Sequence, residues 1–514
     1  MHQPTPLTPL AWDLLQHKRA GMMRGADATG RYMSTEMFSA NGYAFTRAIP
    51  PLDGELELLE LVAARDTERR LGQLLMLWEE QYRPEVEALT RSLREWAQPG
   101  NSLVDLVHRF DEVNAVAARL GELHTLSFGM TGLAMQRFED FCVSELGEVG
   151  AEIARDAAAG QPNKSIESAA ALWGLSREAL ARTAVAQLLA DTTATEFAEG
   201  LDAVEGGAEF HALLDEFLVV YGQRNESFSE LVFPTWREDP RFVMFTLRSY
   251  AGLPDDQSPT AMHERTIARR IERTDEARGQ LSPAKFREFL DAQRIAWQRT
   301  ILLEDHNYYI DQRGFSTLRM PCLAIGERLR TAGVIDAADD VFYMYRADIV
   351  RASADRSTKF QSTVRERREQ RERWLRTLPP NVIGEGNIQT NPQMEAFLGP
   401  IEPEPAELGI VRGQAASPGV VRGTARVVRT LAEVEKLQAG DVLVTYATAP
   451  PWTPLFAVAS AIITDAGGPT SHAAIVAREF GITAVVGTKS ATARIEDGMV
   501  VTVDGNTGLV SIER

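Results

Sequence analysis

The sequence predicts a multidomain chain: a large α-helical domain over residues 1–378, a proline-rich linker over 379–408 and a small α/β domain over 409–514. Three observations carry this. From about Leu52 to Trp374, apolar residues recur at three- and four-residue steps, the period of an amphipathic helix. Between Pro379 and Pro405 that period stops, and prolines at 379, 380, 392, 400, 403 and 405 interrupt the chain; each lacks an amide donor and clashes with a preceding helical turn. From Val411 the pattern changes to short β-branched runs separated by glycine turns.

Within the helical part, Leu103, Leu106, Val107, Phe110, Val113, Val116 and Leu120 fall on one face of a helix, and that face is core. The same spacing predicts helices over Phe210–Tyr221, Phe286–Leu303 and Pro321–Leu329. Gln161-Pro162-Asn163 and Gly252-Leu253-Pro254 mark connections. Arg365–Arg373, RERREQRER, alternates sign at helical spacing and reads as a solvated face rather than a nucleic-acid arm. In the last domain VVRGTARVV, DVLVTYA, AIITDAGG, ITAVVG and MVVTVDG read as strands and turns of a compact sheet with a few helices.

Charge and composition exclude some classes. The 514-residue chain carries a formal net charge of −18, which disfavours broad contact with nucleic-acid phosphates or an anionic membrane. Its 2 cysteines, Cys142 and Cys322, support neither a disulfide framework nor a cysteine zinc site, and a reducing compartment is expected. The start, MHQPTPLTPLAW, does not read as a secretory signal, and no apolar run approaches the ~18 residues of a spanning helix, so a cytoplasmic location is expected. There is no HExxH and no histidine pair at ligand spacing, so no metal site is expected. Gly160–Ser165 and Gly487–Ser490 echo a phosphate-binding loop, but each lacks the glycine directly before its lysine.

The stretch Thr464–Gly481, TDAGGPTSHAAIVAREFG, is the most informative. A strand ends at Asp465, two glycines allow a tight turn, and Thr470 or Ser471 can cap a helix over Ala473–Phe480 that Gly481 stops. His472 then sits at or just before a helix N-terminus, where unpaired amides and the positive end of the dipole favour an anion. Gly467 and Gly468 would let the backbone approach a phosphoryl group, and Ala473 and Ala474 would keep the site open. A neutral imidazole is an available nucleophile at cellular pH.

These residues resemble the phosphohistidine, or swivelling, domain of the PEP-synthase, pyruvate phosphate dikinase and rifampin phosphotransferase group. The similarity rests on Ser417-Pro418-Gly419, Gly423-Thr424-Ala425, Gly440–Val444, Pro454-Leu455-Phe456, Gly467–Ala474, Ala477-Arg478-Glu479, Val485-Val486-Gly487 and Asp504-Gly505. Thr483 stands where the family often has proline. The resemblance implies a β/β/α swivelling fold in which His472 takes a phosphoryl group and passes it on, with Gly467, Gly468, Thr470, Ser471 and Arg478 around the phosphate.

The helical part is also similar to that group. Tyr221–Arg224, Pro234–Pro240, Glu304–Asp311 and Asp339–Tyr343 look like the acceptor-binding domain of rifampin phosphotransferase-like proteins, with Gln223 in place of the usual histidine. The resemblance implies an acceptor site drawn from His124, Tyr221, Arg224, Glu226, His306 and Tyr308. His306 is the expected general base and Arg224 the expected fork for phosphoryl oxygens. No ATP-grasp segment is recognisable, so ATP and Mg2+ are expected on a separate ATP-grasp subunit, with none bound tightly here. The organisation resembles two-component aryl phosphotransferases such as phenylphosphate synthase, which implies a small phenolic acceptor and, overall, AMP and phosphate. A rifampin-type acceptor, a PEP-synthase-like carrier or a non-catalytic scaffold subunit are the alternatives.

Overall fold

The computed structural model describes residues 5–98, 100–128, 131–227, 230–377, 383, 409–469 and 471–513. The linker, apart from Ile383, and Thr470 lie outside these residues. The chain forms two compact units: Met1–Thr131, Ser227–Pro234 and His306–Gly386 in one, and Gly132–Glu226, Thr235–Asp305 and Asn387–Arg514 in the other. The helices of 1–378 are therefore divided between units, and the α/β domain shares a unit with the helices between 132 and 305.

In the first unit the helix Pro9–Asp27 lies against Phe110–Phe128. The two come close because glycines line their contact. An added Cβ would fall 1.7 Å from the Ala118 carbonyl oxygen at Gly21 and 2.0 Å from that of Lys18 at Gly121. The apolar stripe from Leu103 to Leu120 is buried as expected, but it belongs to two helices, Leu103–His108 and Phe110–Phe128. A Ser102–Asp105 capping box starts the first, and Arg109 leaves helical geometry to end it. A hairpin is also present that helical periodicity does not reveal: β1 (Thr35–Ala40) pairs antiparallel with β2 (Tyr43–Ala48). Asn41 and Gly42 make its turn with φ of 49° and 74°, the left-handed pair that a two-residue hairpin favours.

The second unit holds two of the three expected helices, Gly207–Tyr221 and, as far as Asp305, Pro283–His306; the third, observed as Arg319–Thr331, belongs to the first unit. The helices from Phe138 to Ala296 share a core that includes Phe138, Cys142, Ile153, Ala277 and Phe289. The α/β domain supplies an eight-stranded sheet. Its strands are β3 (Ile410–Arg412), β4 (Gln414–Ser417), β5 (Val420–Val427), β6 (Val442–Thr445), β7 (Ala461–Thr464), β8 (Thr483–Val486), β9 (Val500–Asp504) and β10 (Leu509–Ile512). They run in the order β3-β10-β9-β5-β6-β7-β8-β4, with β5 to β8 parallel and the flanks antiparallel. Residues of β6, β7 and β8 are buried throughout, as parallel strands covered on both faces require.

Both cysteines are buried free thiols, pushed up to about 12 chiefly by burial. No described helix is long and apolar enough to cross a membrane. Ile463, fully buried in β7, tests the sheet core: Ile463→Ala is expected to cost about 2–5 kcal/mol in a denaturant titration.

Candidate active site

The turn after β7 positions His472. Gly467 has φ of 114°, and a Cβ there would meet Ser471 Oγ at 2.8 Å. The glycine is therefore required both by backbone conformation and by space. Ser471 N donates to Gly468 O at 2.9 Å, and Ser471 caps the helix His472–Phe480 by accepting from Ala474 N. Gly481, at φ of 64°, ends that helix. Of the two expected caps, Ser471 fills the position; Thr470 lies outside the described residues. Arg478 donates to Ala416 O and Pro469 O, both at 2.8 Å, and so braces the turn that precedes His472. Burial is the main cause of its pKa being lowered to about 9.

His472 is only 7% exposed. Ala473 and Ala474 are buried too, rather than bordering an opening. The histidine is not part of the sheet core, which is built from residues of 411–510 such as Val444, Ile463 and Val503. What covers it comes from both parts of the unit. Its Nδ1 faces Glu304 Oε1 at 3.3 Å, its Nε2 faces Thr453 Oγ1 at 3.3 Å, and its ring lies edge-on to Phe456 at 6.5 Å. Glu304, fully buried, accepts at its other oxygen from Ser165 Oγ. Ser165 opens the helix Lys164–Leu180, which Asn163 caps through the amides of Ser165 and Ile166. Asp305, next to Glu304, accepts from the amide of Lys164 at 3.0 Å.

The α/β domain meets these helices at further points. Tyr250 donates to Pro454 O at 2.9 Å, and Leu431 N donates to Glu226 Oε2 at 2.6 Å. Thr266 donates to Glu479 O at 2.8 Å, while the Glu479 carboxylate accepts from Gly160 N at 2.9 Å. Burial raises the Glu479 pKa, and His263, 3.6 Å away, opposes that.

The six expected acceptor residues fall into two groups. Tyr221, Arg224 and Glu226 belong to the second unit. Tyr221 donates to Glu167, and Arg224, only 1% exposed, reaches Ser168 Oγ at 3.5 Å with its guanidinium 4.8 Å from the Trp236 ring. Glu226 is engaged by the Leu431 amide, as above.

His124, His306 and Tyr308 belong to the first unit. There Asp311 gathers the histidines: His124 Nδ1 lies 2.9 Å and His306 Nε2 3.7 Å from Asp311 Oδ2, while Lys18 Nζ lies 3.4 Å from Oδ1. The close approach of Gly121 to the Lys18 backbone is what sets Lys18 and His124 on one carboxylate. Asp311 and Tyr308 lie on the π-helical turn Asn307–Gly314, whose widened geometry recurs at functional sites. The His306 side chain is 2% exposed and that of His124 18%, so His124 is the one that reaches the surface. The donor atoms of His124, His306 and Asp311 lie within 4.8 Å of one another, a spacing that can hold a cation. Sequence spacing did not reveal this cluster, because 182 positions separate its histidines (306 − 124).

Glu304, Ser165, Thr453, Asp311 and Lys18 were not among the expected site residues. Glu304 and Asp311 both stand in the EDHNYYID stretch, and Thr453 directly precedes Pro454-Leu455-Phe456. The two loop echoes do not form phosphate cradles: the amides of Gly160, Lys164, Ser165 and Ile166 donate to side-chain oxygens of the chain. Those of Thr488 and Lys489 donate to carbonyl oxygens of Thr464 and Asp465.

The site is thus a histidine at a glycine-turned helix start, on a small sheet domain that shares a unit with helices. Residues 437–508 match the PEP-utilising enzyme mobile domain, and residues 123–302 match the rifampicin phosphotransferase fourth domain. The chain combines a region similar to the PEP-utilising enzyme mobile domain with one similar to the rifampicin phosphotransferase fourth domain. It is 36% identical over 99% of its length to 14% of chondramide synthase cmdD from Chondromyces crocatus. It is 31% identical over 69% of its length to 42% of the uncharacterized phosphotransferase YvkC from Bacillus subtilis. With rifampicin phosphotransferase from Streptomyces sviceus it is 28% identical, over 64% of this chain and 37% of that one. The chain thus spans less than half the length of each of these relatives.

Asp311 supplies a pH test of the first-unit cluster. Its burial alone would raise the carboxyl, but His124, Lys18 and His306 reverse this and hold it well below the ordinary 3.8. With the folded pKa below the unfolded one, the stabilisation is fully present above about pH 4 and is lost as pH falls further. Asp311→Asn is expected to destabilise at neutral pH and to flatten the acid limb of stability against pH, read by thermal unfolding between pH 2 and 7.

Proposed function

We propose that this chain carries the phosphoryl-transferring histidine and the acceptor-binding helices of an ATP-dependent phosphotransferase. His472 accepts a phosphoryl group from an ATP-grasp component on another polypeptide, and the α/β domain then delivers it to a hydroxyl acceptor at the helical part. The single observation that supports this best is the seat of His472. It stands at a capped helix start in the GGPTSHAA turn, with its ring between the α/β domain's Thr453 and the helical Glu304.

Phosphoryl transfer needs positioning and charge neutralisation more than covalent help. The first turn of the helix His472–Phe480 supplies amides and a positive dipole end near the imidazole. Within the second unit, Arg224 is a buried planar cation suited to phosphoryl oxygens; within the first, Asp311 and His124 form a carboxylate–imidazole pair of the kind that serves as a base.

A small phenol is the proposed acceptor, by analogy with the two-component aryl phosphotransferases. The match of residues 123–302 to the rifampicin phosphotransferase fourth domain supports a second reading, a rifamycin-type acceptor. ATP and Mg2+ belong to the partner component, and the protein works in the cytoplasm without nucleic acid or membrane.

The chain mixed with an ATP-grasp component, ATP and a panel of phenols and rifamycins is expected to give an aryl phosphate, with activity falling at least ~10³-fold in His472→Ala. Product from the rifamycins alone would establish the second reading. Turnover surviving the substitution would remove His472 from the pathway.

A further inference from the structure

The two nitrogens of His472 have different surroundings, and the difference has a chemical direction. Nδ1 faces a buried carboxylate oxygen of Glu304 at 3.3 Å, and Nε2 faces the Thr453 hydroxyl at 3.3 Å. A carboxylate accepts only, so the arrangement is complete when Nδ1 carries the proton and donates it to Glu304. Nε2 then holds the ring's lone pair and can accept from Thr453. A hydrogen bond at one ring nitrogen fixes what the other can do.

Other charged groups around the helix His472–Phe480 act elsewhere. His263, from Pro259–Gln280, faces Glu479, while Arg299, Arg155 and Asp156 act on Arg478. These contacts lie on the last turn. The Lys164 ammonium pairs with Glu167, and its amide takes the carboxylate of Asp305. Among the described residues, Glu304 is the charged group within ion-pair range of the His472 ring.

We propose that Glu304 is a positioning residue that keeps the proton on Nδ1 of His472, so that Nε2 is the atom that carries phosphorus and delivery occurs from a protonated ring. The proposal deepens the carrier reading and rests on it. In the receiving step the Nε2 lone pair forms the bond to phosphorus while the donor's P–O bond breaks and its electrons leave with the donor oxygen. The ring becomes an N-phosphorylated imidazolium that still bears its Nδ1 proton. In delivery the acceptor hydroxyl oxygen bonds to phosphorus, the Nε2–P bond breaks, and its electron pair returns to Nε2. The hydroxyl proton passes to a base. The leaving group is then neutral imidazole; a ring stripped of its Nδ1 proton would have to depart as imidazolate, a much poorer leaving group. Because Glu304 stands on the helix Pro283–His306, it favours the labile form where the α/β domain is seated on the helices.

The test is nitrogen-15 spectroscopy of the full-length, histidine-labelled protein, with the His472 signal assigned by its loss in His472→Ala. The native ring is expected as the Nδ1–H tautomer, and Glu304→Gln, whose amide can donate as well as accept, is expected to lose that preference. Glu304→Asp is expected to recover part of it. Partner-driven labelling supplies the second readout. Glu304→Gln is expected to keep the label on His472 but to deliver it about tenfold more slowly at pH 8, with the deficit closing toward pH 6. An Nε2–H tautomer in the native protein, an unchanged tautomer in Glu304→Gln, or a delivery deficit independent of pH would overturn the role of Glu304 and leave the carrier reading intact. A native His472 that takes no label would overturn the carrier reading, while the tautomer still decides what Glu304 does to the ring.

Discussion

In the proposed carrier role His472 is a base at one nitrogen and holds a proton at the other, and the 3.3 Å approach of Glu304 to its Nδ1 is the contact that supports this asymmetry. A few residues of the second unit hold this contact in place. Glu304 is fully buried, a costly place for a carboxylate, and the Ser165 hydroxyl and the imidazole offset that cost. Ser165 is in turn fixed by the Asn163 cap of its helix, so a loop that resembles a nucleotide cradle instead orients a carboxylate.

The sheet core of the α/β domain is a cluster of the domain's own residues, among them Val411, Val444, Ile463, Val503 and Val510. Several of the directed contacts between this domain and the helices end on backbone groups, as in Tyr250 to Pro454 O, Thr266 to Glu479 O and the Leu431 amide to Glu226. Such bonds each add about 0.5–1.5 kcal/mol, and water can replace them.

Much of the fold was legible because its causes are local. The sheet domain announced itself through β-branched runs and glycine turns, and the His472 turn through Gly467, Ser471 and Gly481, whose roles follow from backbone conformation. The break at Arg109 was not visible, since the apolar stripe continues through it on both sides. The hairpin around Asn41-Gly42 precedes the periodic stretch that begins near Leu52 and was not anticipated, although the dipeptide itself is a turn signal. Partners distant in sequence were the least legible: Glu304 lies 168 positions from His472, and Asp311 lies 187 from His124. No periodicity connects such residues, and only the packing of helices brings them together.

The measurement that bears most directly on the carrier claim is chemical mapping of phosphate on the protein after incubation with ATP and the ATP-grasp component. The account predicts an acid-labile, alkali-stable phosphate confined to the peptide that contains His472. An acid-stable phosphate, or one on any other peptide, would contradict it.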